Sequence, residues 1–253
     1  MNLRSLLEKY NSILIPRIQR DYAQGRRDNV TNEIRGNLLK DIFSSESISF
    51  NMIFGESDSA GNFIPIDGQQ RLTLLFLLLL YGSKTGYVDD FGVKKLNYST
   101  RESTSEFWRF ITDANWDLDK SISLSSWCRN HNGYQWYWDM DPTVESMLVV
   151  LDDIHKSASK QPSSYPNIDA IEFDCHDMSQ SGLNETLYLK MNSRGKHLNA
   201  FEKIKSALDQ LVCTSSESYS TSGFDNYNWG KIDHKEMTFK DCWTYCMERD
   251  WIY

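Results

Sequence analysis

An almost uninterrupted apolar run from Leu72 to Tyr81 limits the possible folds of this chain more than any other feature. As a helix the run would be about 15 Å long, roughly half of what a bilayer core requires, so it predicts a helix buried inside a protein. The stretch just before it, Phe63–Ile66, is apolar and has the length of a strand. We therefore predict a strand, a polar turn and a buried helix in direct succession, and no membrane-spanning segment elsewhere.

The polar turn between this strand and this helix has the residues of a helix N-terminus that could also bind an anion. Asp67 is a favourable N-cap, Gly68 lets the backbone turn closely, and Gln70 could reach back to complete a capping box. The leading amides and the helix dipole favour an anion, and the guanidinium of Arg71 suits phosphate oxygens. Capping boxes are commoner than phosphate sites, so the turn alone favours a capped core helix.

Composition and charge exclude several classes of protein. With 253 residues, 40% of them hydrophobic, the chain can bury a substantial core in one large domain or two modest ones. Its five cysteines are odd in number and mostly far apart, which favours reduced thiols and a cytoplasmic protein. The formal net charge of -8 argues against a domain that coats nucleic acid through bulk positive charge. Binding to DNA would therefore need a locally basic surface.

Periodicity predicts a mixed first third of the chain and a mainly helical remainder, and hence an α+β fold. Residues 187–191 fit a helix or a strand equally well. The predicted elements are a helix at Leu3–Tyr10, a strand at Ile13–Ile15, a helix at Asn32–Phe43, strands at Ile48–Phe54 and Phe63–Ile66, helices at Phe107–Ile111 and Val144–His155, a strand at Ala170–Cys175 and a helix from Asn199 to Leu211.

Two further polar segments carry arginines that core packing does not require. Ile15–Arg26 follows a predicted strand and offers guanidinium groups, amides and a phenol that could hold phosphates and a base. A solvated basic loop explains these side chains equally well. Met191–Leu198 is a glycine-containing turn in which Asn192, Arg194 and Lys196 could contact an anion or a sugar, although by itself it is a routine turn.

Taken together, the three polar segments form an ordered set of motifs. Ile-Pro-x-x-Gln-Arg-x-Tyr lies at Ile15–Tyr22, Ile-Asp-Gly-Gln-Gln-Arg-Leu-Thr at Ile66–Thr73, and Asn-x-Arg-Gly-x-x-Leu at Asn192–Leu198, followed by Glu202 and Lys205. In order and context they resemble the DGQQR-motif family, domain of unknown function 262, the N-terminal half of modification-dependent restriction and anti-phage defence proteins.

The resemblance spans residues 10–212 and implies a two-part architecture. Residues 1–95 would form a ParB/sulfiredoxin-like mixed α/β region that binds nucleotide. Residues 96–253 would form a mainly helical region that contributes the Asn-x-Arg-Gly motif. The apolar ending Trp251–Tyr253 is expected of an interrupted domain or of one half of a split system.

The same resemblance implies a nucleoside-triphosphate-binding and hydrolysing domain that senses or regulates in a bacterial anti-phage or restriction system. Its partner would be a nuclease or another effector. The enzyme would be a phosphohydrolase without a P-loop, because the Gly-x-x-x-x-Gly-Lys-Ser/Thr motif is absent. The alternative is a non-catalytic recognition module that binds nucleotide or modified DNA and regulates a nuclease partner.

Residue roles follow from the resemblance by position. Asp67, Gln70 and Arg71 would be catalytic, with Asp67 orienting the turn or a water molecule. Mg²⁺ or a similar divalent ion would accompany the nucleotide, since phosphoryl transfer depends on positioning and charge neutralisation. The expected nucleotide-binding residues are Gln19, Arg20, Tyr22, Gly68, Gln69, Asn192, Arg194 and Lys205.

The remaining candidate sites are weaker. Cys242 and Cys246 lie near His234 in the sequence, but their spacing is unusual and a fourth ligand is absent, so we expect no structural zinc. His234 also lacks the context of the histidine nuclease motif found in the second domain of such proteins. The aromatic cluster Tyr134–Trp138 has no interleaved basic residues, which favours a core or an interface over base stacking.

Overall fold

The computed structural model describes most of the chain up to residue 179 and two short strands beyond it. The described residues are 1–16, 22–44, 47–99, 101–117, 122–160, 165–179, 218–219 and 237–238. Residues Met1–Met191 form one compact unit and Asn192–Tyr253 a second. The described residues of the first unit form five strands and six helices, which confirms the predicted α+β class; the ParB-like relationship stays a prediction.

The predicted helices and strands that fall on described residues are all present, whereas the helix Leu124–Asn130 and the strand Leu96–Tyr98 were not predicted. The predicted helix from Asn199 to Leu211 and residues 187–191 lie outside the described residues. The helices are α1 Leu3–Lys9, α2 Asn29–Ser44, α3 Gln69–Thr85, α4 Glu102–Asp113, α5 Leu124–Asn130 and α6 Pro142–Lys160. The strands are β1 Ile13–Ile15, β2 Ile48–Ser57, β3 Phe63–Asp67, β4 Leu96–Tyr98, β5 Ile171–Asp177, β6 Ser218–Tyr219 and β7 Met237–Thr238. Short 3₁₀ turns lie at Val93–Lys95, Trp136–Met140 and Ile168–Ala170.

The first unit is built on one mixed five-stranded sheet, ordered β4-β1-β3-β2-β5. The strand β1 pairs in parallel with the central strand β3 on one side and with the edge strand β4 on the other, with Ile13 opposite both Phe63 and Leu96. The strand β2 runs antiparallel to β3 and parallel to β5. In the second unit, β6 and β7 form an antiparallel pair. The strands β1, β3 and β4 therefore end at the same edge of the large sheet.

The predicted boundary between residues 95 and 96 falls inside the first unit. The strands at the two edges of the sheet, β4 and β5, both follow that boundary in the sequence. The helices α4, α5 and α6 are thus an insertion between two strands of one sheet. Pairing between short strands that lie far apart in the chain leaves no mark on local periodicity, so no sequence pattern indicated that β4 and β5 join the same sheet as β1 to β3.

The apolar run forms the centre of the core, as predicted. Every residue from Leu72 to Gly82 in α3 is buried, and α3 packs against α6. The hydroxyl of Thr73, near the start of this buried run, is 2.9 Å from the hydroxyl of Tyr98 on β4. The helix ends at Gly86, whose φ of 78° is the left-handed conformation typical of a helix C-terminus. Among the described residues, no helix is long and apolar enough to cross a membrane.

Candidate functional site

The described parts of the first two motifs meet at the edge of the sheet where β1, β3 and β4 end, which we call the carboxyl edge. Ligands of open α/β sheets commonly bind in the crevice outside such strand ends. After β3, Gly68 leads into α3, and after β4, Arg101 precedes α4. After β1, the chain passes through residues 17–21, which lie outside the described residues, to the loop Tyr22–Arg27.

The predicted capping box at the start of α3 is wrong. Gly68, not Asp67, occupies the N-cap position, and no side chain caps the helix there. Asp67 is still the last residue of β3, and its carboxylate accepts a hydrogen bond of 3.1 Å from Arg71. The side-chain oxygen of Gln70 accepts one of 2.8 Å from the main-chain N–H of Ala23. Both side chains expected to cap the helix have therefore taken other partners, and Gln70 joins the turn to the loop.

Only glycine fits at position 68. Its φ of 92° lies in the left-handed region, and an added Cβ would lie 2.8 Å from Cγ1 of Ile53 on β2. The turn thus lies directly on β2, and Gln69 adds a 2.7 Å hydrogen bond from its amide to the carbonyl of Pro65. The first turn of α3, Gln69–Arg71, remains partly exposed, whereas everything from Leu72 onward is buried.

The guanidinium of Arg71 is held on two sides. It donates to the carbonyl of Phe50 at 2.7 Å and to Asp67 at 3.1 Å. Phe50 lies at an irregularity of β2, beside Asn51, whose φ of 56° is positive. These two bonds use two of the five donors of the guanidinium, and 27% of the side chain is exposed. Arg71 is therefore pre-positioned beside the leading amides of α3, with part of its surface open to solvent.

Tyr22 lies beside the turn, but its ring points into the core. It is 1% exposed, its hydroxyl donates to Gln24 at 3.0 Å, and its main-chain N–H lies 3.5 Å from the hydroxyl of Thr143. Burial raises the pKa of this phenol well above its usual value, so it stays neutral at physiological pH. A direct contact with a nucleotide would require the ring to leave the core. In this structure Tyr22 anchors the loop instead.

The loop packs closely on α6. An added Cβ on Gly25 would lie 2.0 Å from the carbonyl oxygen of Ser146. At the end of the loop, Arg27 pairs with Glu145 at 3.2 Å, and Arg129 of α5 contacts the same carboxylate. The loop thus lies between the first turn of α3 and the first turns of α6.

Replacing Gly25 with Ala is expected to destabilise the chain by about 1–3 kcal/mol, as overpacking of an interior typically does. The obstacle is the main chain of α6, so rotation of a side chain cannot relieve it. Gly36→Ala on α2 is the matched control, because the same added atom meets nothing within 4 Å there. The control should be neutral or slightly stabilising. Urea unfolding of both variants measures the difference, and equal stability would contradict the prediction.

A buried carboxylate that sequence reasoning missed joins the starts of α4 and α6. Asp141 accepts hydrogen bonds from Arg101 at 3.0 Å, Ser103 at 2.6 Å, Thr104 at 2.5 Å and the main-chain N–H of Thr143 at 2.9 Å. It thereby fixes a second arginine at the carboxyl edge, beyond β4. The sequence signal was an aspartate before a proline, which is typical of a helix start, although its partners are far away in the chain.

Five of the predicted binding residues, and the cysteines and histidine weighed for zinc, lie outside the described residues. These are Gln19, Arg20, Asn192, Arg194 and Lys205, together with His234, Cys242 and Cys246. The others, Asp67, Gly68, Gln69, Gln70 and Arg71, lie in one turn, with the loop that begins at Tyr22 bonded to it. Their roles stay predictions.

Comparison with protein families gives one match. Residues 3–208 match the family described as the N-terminal domain of GmrSD restriction endonuclease. The matched range includes the whole described sheet, the carboxyl edge and all three motifs. No curated protein and no solved structure matches the chain.

Proposed function

The chain belongs to the family of GmrSD restriction endonuclease N-terminal domains, and from this premise we propose that it binds and hydrolyses nucleoside triphosphates at the carboxyl edge. Membership makes it a module of a restriction and defence system. The observation that supports the nucleotide proposal is the arrangement of that edge. The first turn of α3 is partly exposed and carries the fixed Arg71, and it lies where the parallel strands β1 and β3 end. The loop Tyr22–Arg27 is hydrogen-bonded to this turn.

The first turn of α3 would bind the phosphates. Its leading amides and the positive end of its dipole favour anions, and Arg71 presents a planar fork beside them. Arg101, fixed by Asp141 beyond β4, would add a second cation at the same edge. Neither group has to reorganise when the phosphate charge shifts, and such preorganised donors are the main source of catalysis in phosphoryl transfer.

The divalent ion would be bound mainly by the nucleotide. Mg²⁺ in such sites uses one or two protein carboxylates plus substrate phosphates, and Asp67, whose side chain is 51% exposed, can supply one. In the described part of the chain no group of three or more acidic, histidine or cysteine side chains could hold a metal by itself. The ion would supply charge neutralisation on the phosphates.

Hydrolysis would serve regulation of a nuclease. The family name places this type of domain in a restriction endonuclease, so a nuclease domain or partner is the natural recipient of a signal. The domain would act as a sensor whose nucleotide state controls that partner. DNA contact by this chain would be local, given its formal net charge of -8.

One observation favours the alternative of a recognition module that binds nucleotide or modified DNA without turnover. The carboxylate of Asp67 is paired with Arg71, which neutralises the nearest acidic group that could activate or orient water. In that case the same turn would bind phosphates and signal to the nuclease through occupancy alone.

Phosphate release from purified triphosphates discriminates between the two. We expect the full chain with Mg²⁺ to release phosphate from at least one of ATP, GTP, CTP and UTP, and chelation of the ion to abolish release. Saturable binding of a triphosphate without release would favour the recognition module. If no triphosphate is bound at all, hydrolysis and the nucleotide-binding form of the recognition module are both wrong, and recognition of modified DNA is the form that remains.

A further inference from the structure

Arg35 of α2 is a buried cation to which the proposed site assigns no role. Only 7% of it is exposed. Its Nη1 donates to the carbonyls of Gln24 at 2.7 Å and Arg26 at 3.2 Å, its Nε to Asp153 of α6 at 2.7 Å, and its Nη2 to Asn32 at 2.8 Å. One side chain therefore connects α2, α6 and the loop Tyr22–Arg27.

These contacts define where the loop lies. A buried guanidinium is tolerated only when its donors are paired, and buried carbonyls are tolerated only when they accept hydrogen bonds. Arg35 pairs its donors in this way, and the two carbonyls it binds flank Gly25, the residue whose backbone packs on α6. A lysine at this position would keep the charge but could not reproduce the planar, multi-donor geometry.

The position of the loop affects the candidate site, because the loop is hydrogen-bonded to the first turn of α3. The N–H of Ala23 donates to the side chain of Gln70 in the first turn of α3. Tyr22, at the start of the loop, is the last residue of the first motif and is buried in the core. A shift of the loop would therefore displace Gln70 and the end of the segment that enters from β1.

We propose that Arg35 is a positioning residue of the nucleotide site, which holds the loop Tyr22–Arg27 so that Gln70 keeps its place beside the phosphates. The inference rests on the proposed function, since the ligand it serves is the triphosphate. Arg35 itself does not touch the ligand; it acts through the loop.

The test is Arg35→Lys in the full chain, with two readouts. Hydrogen exchange of the amides of residues 22–27 is expected to speed up, because the bonds to the two carbonyls are lost. The KM for the triphosphate is expected to rise about tenfold or more, since small displacements of positioning groups are costly. A merely structural defect would lower the amount of active protein and so kcat, but would leave KM unchanged.

Arg4→Lys is the matched control. Arg4 makes a two-armed pair with Asp169 at 2.9 Å and 3.1 Å, but it lies in α1, before the amino end of β1 and away from the carboxyl edge. Neither loop exchange nor KM should change in this variant. If Arg35→Lys does not fold, Asp153→Asn serves instead, because it weakens the ion pair and keeps both carbonyl bonds. A smaller rise in exchange and KM is then expected.

The outcomes separate this inference from the proposed function. Unchanged exchange of residues 22–27 in the Arg35 and Asp153 variants would show that Arg35 does not hold the loop. Faster exchange with an unchanged KM would show that the loop does not serve the site. If the wild-type chain binds no triphosphate, the proposed function and the role of Arg35 in it are both wrong, and exchange still measures the loop contact.

Discussion

Arg71→Ala is expected to lower kcat/KM for triphosphate hydrolysis by a factor of about 10² to 10³, the usual cost of removing one preorganised charge-stabilising donor. The guanidinium is fixed by Phe50 and Asp67 and lies beside the leading amides of α3. Its loss would remove the cation nearest the proposed phosphate position without altering the helix dipole. Initial rates of phosphate release over a range of triphosphate concentrations measure the effect.

Two further variants make this result interpretable. Arg71→Lys keeps a positive charge but not the two-sided hydrogen bonding, so its rate should lie between those of the wild type and Arg71→Ala. Arg109→Ala removes an exposed arginine of α4 whose side chain, within the described part of the chain, bonds to Ser105 of the same helix. It should change the rate less than twofold, the roughly neutral effect of such surface changes. The stability of every Arg71 variant must be checked by thermal unfolding, because Arg71 also donates a hydrogen bond to the Phe50 carbonyl and its replacement can destabilise the fold. A folded Arg71→Ala protein with unchanged rates would remove Arg71 from the mechanism.

Local patterns predicted the elements well and their contacts poorly. The helix α3 was predictable because a long apolar run at this length has no stable alternative to burial. Its cap was not, because the side chains of the two favourable cap residues bond elsewhere: Asp67 to Arg71 in the first turn of the same helix, and Gln70 to Ala23 of a separate loop. Propensity describes what a residue can do alone, and a partner from another element overrides it.

The site shows the same limit more strongly. The motif residues of the turn could be named from the sequence, but the bonds that position them come from distant segments. Phe50 reaches Arg71 through an irregularity in β2, and Asp141 reaches Arg101 across 40 residues of chain. Such contacts depend on the sheet order, which periodicity does not encode. Resemblance to a family identified the candidate residues, and only the fold showed which distant residues hold them in place.

Charge pairing gives the carboxyl edge a specific character. Three of the arginines described around it have an aspartate partner: Arg71 with Asp67, Arg101 with Asp141, and Arg35 with Asp153. Pairing fixes each guanidinium in place but lowers the net positive charge of the edge. A surface of this kind suits a compact anion recognised by geometry, such as a triphosphate that carries a divalent ion, better than an extended polyanion recognised by bulk charge.

Asp141→Ala is expected to destabilise the first unit by about 3 kcal/mol, near the lower end of the cost of breaking a buried ion pair. Removal would take the shared carboxylate acceptor away from the hydroxyls of Ser103 and Thr104 and would break the pair with Arg101, at the point where α4 and α6 begin. Arg101 is 21% exposed, so water can relieve part of the loss. Urea unfolding followed by tryptophan fluorescence measures the change.

The control for this prediction is Asp169→Ala, which breaks a pair of the same chemistry at the surface. Arg4 and Asp169 are 39% and 37% exposed, so their pair should contribute about 0–1 kcal/mol. Asp141→Asn keeps an acceptor of the same size and should fall between the two. If Asp141→Ala proved no more costly than Asp169→Ala, Asp141 would not be what joins α4 to α6. The position of Arg101 at the carboxyl edge would then need another cause.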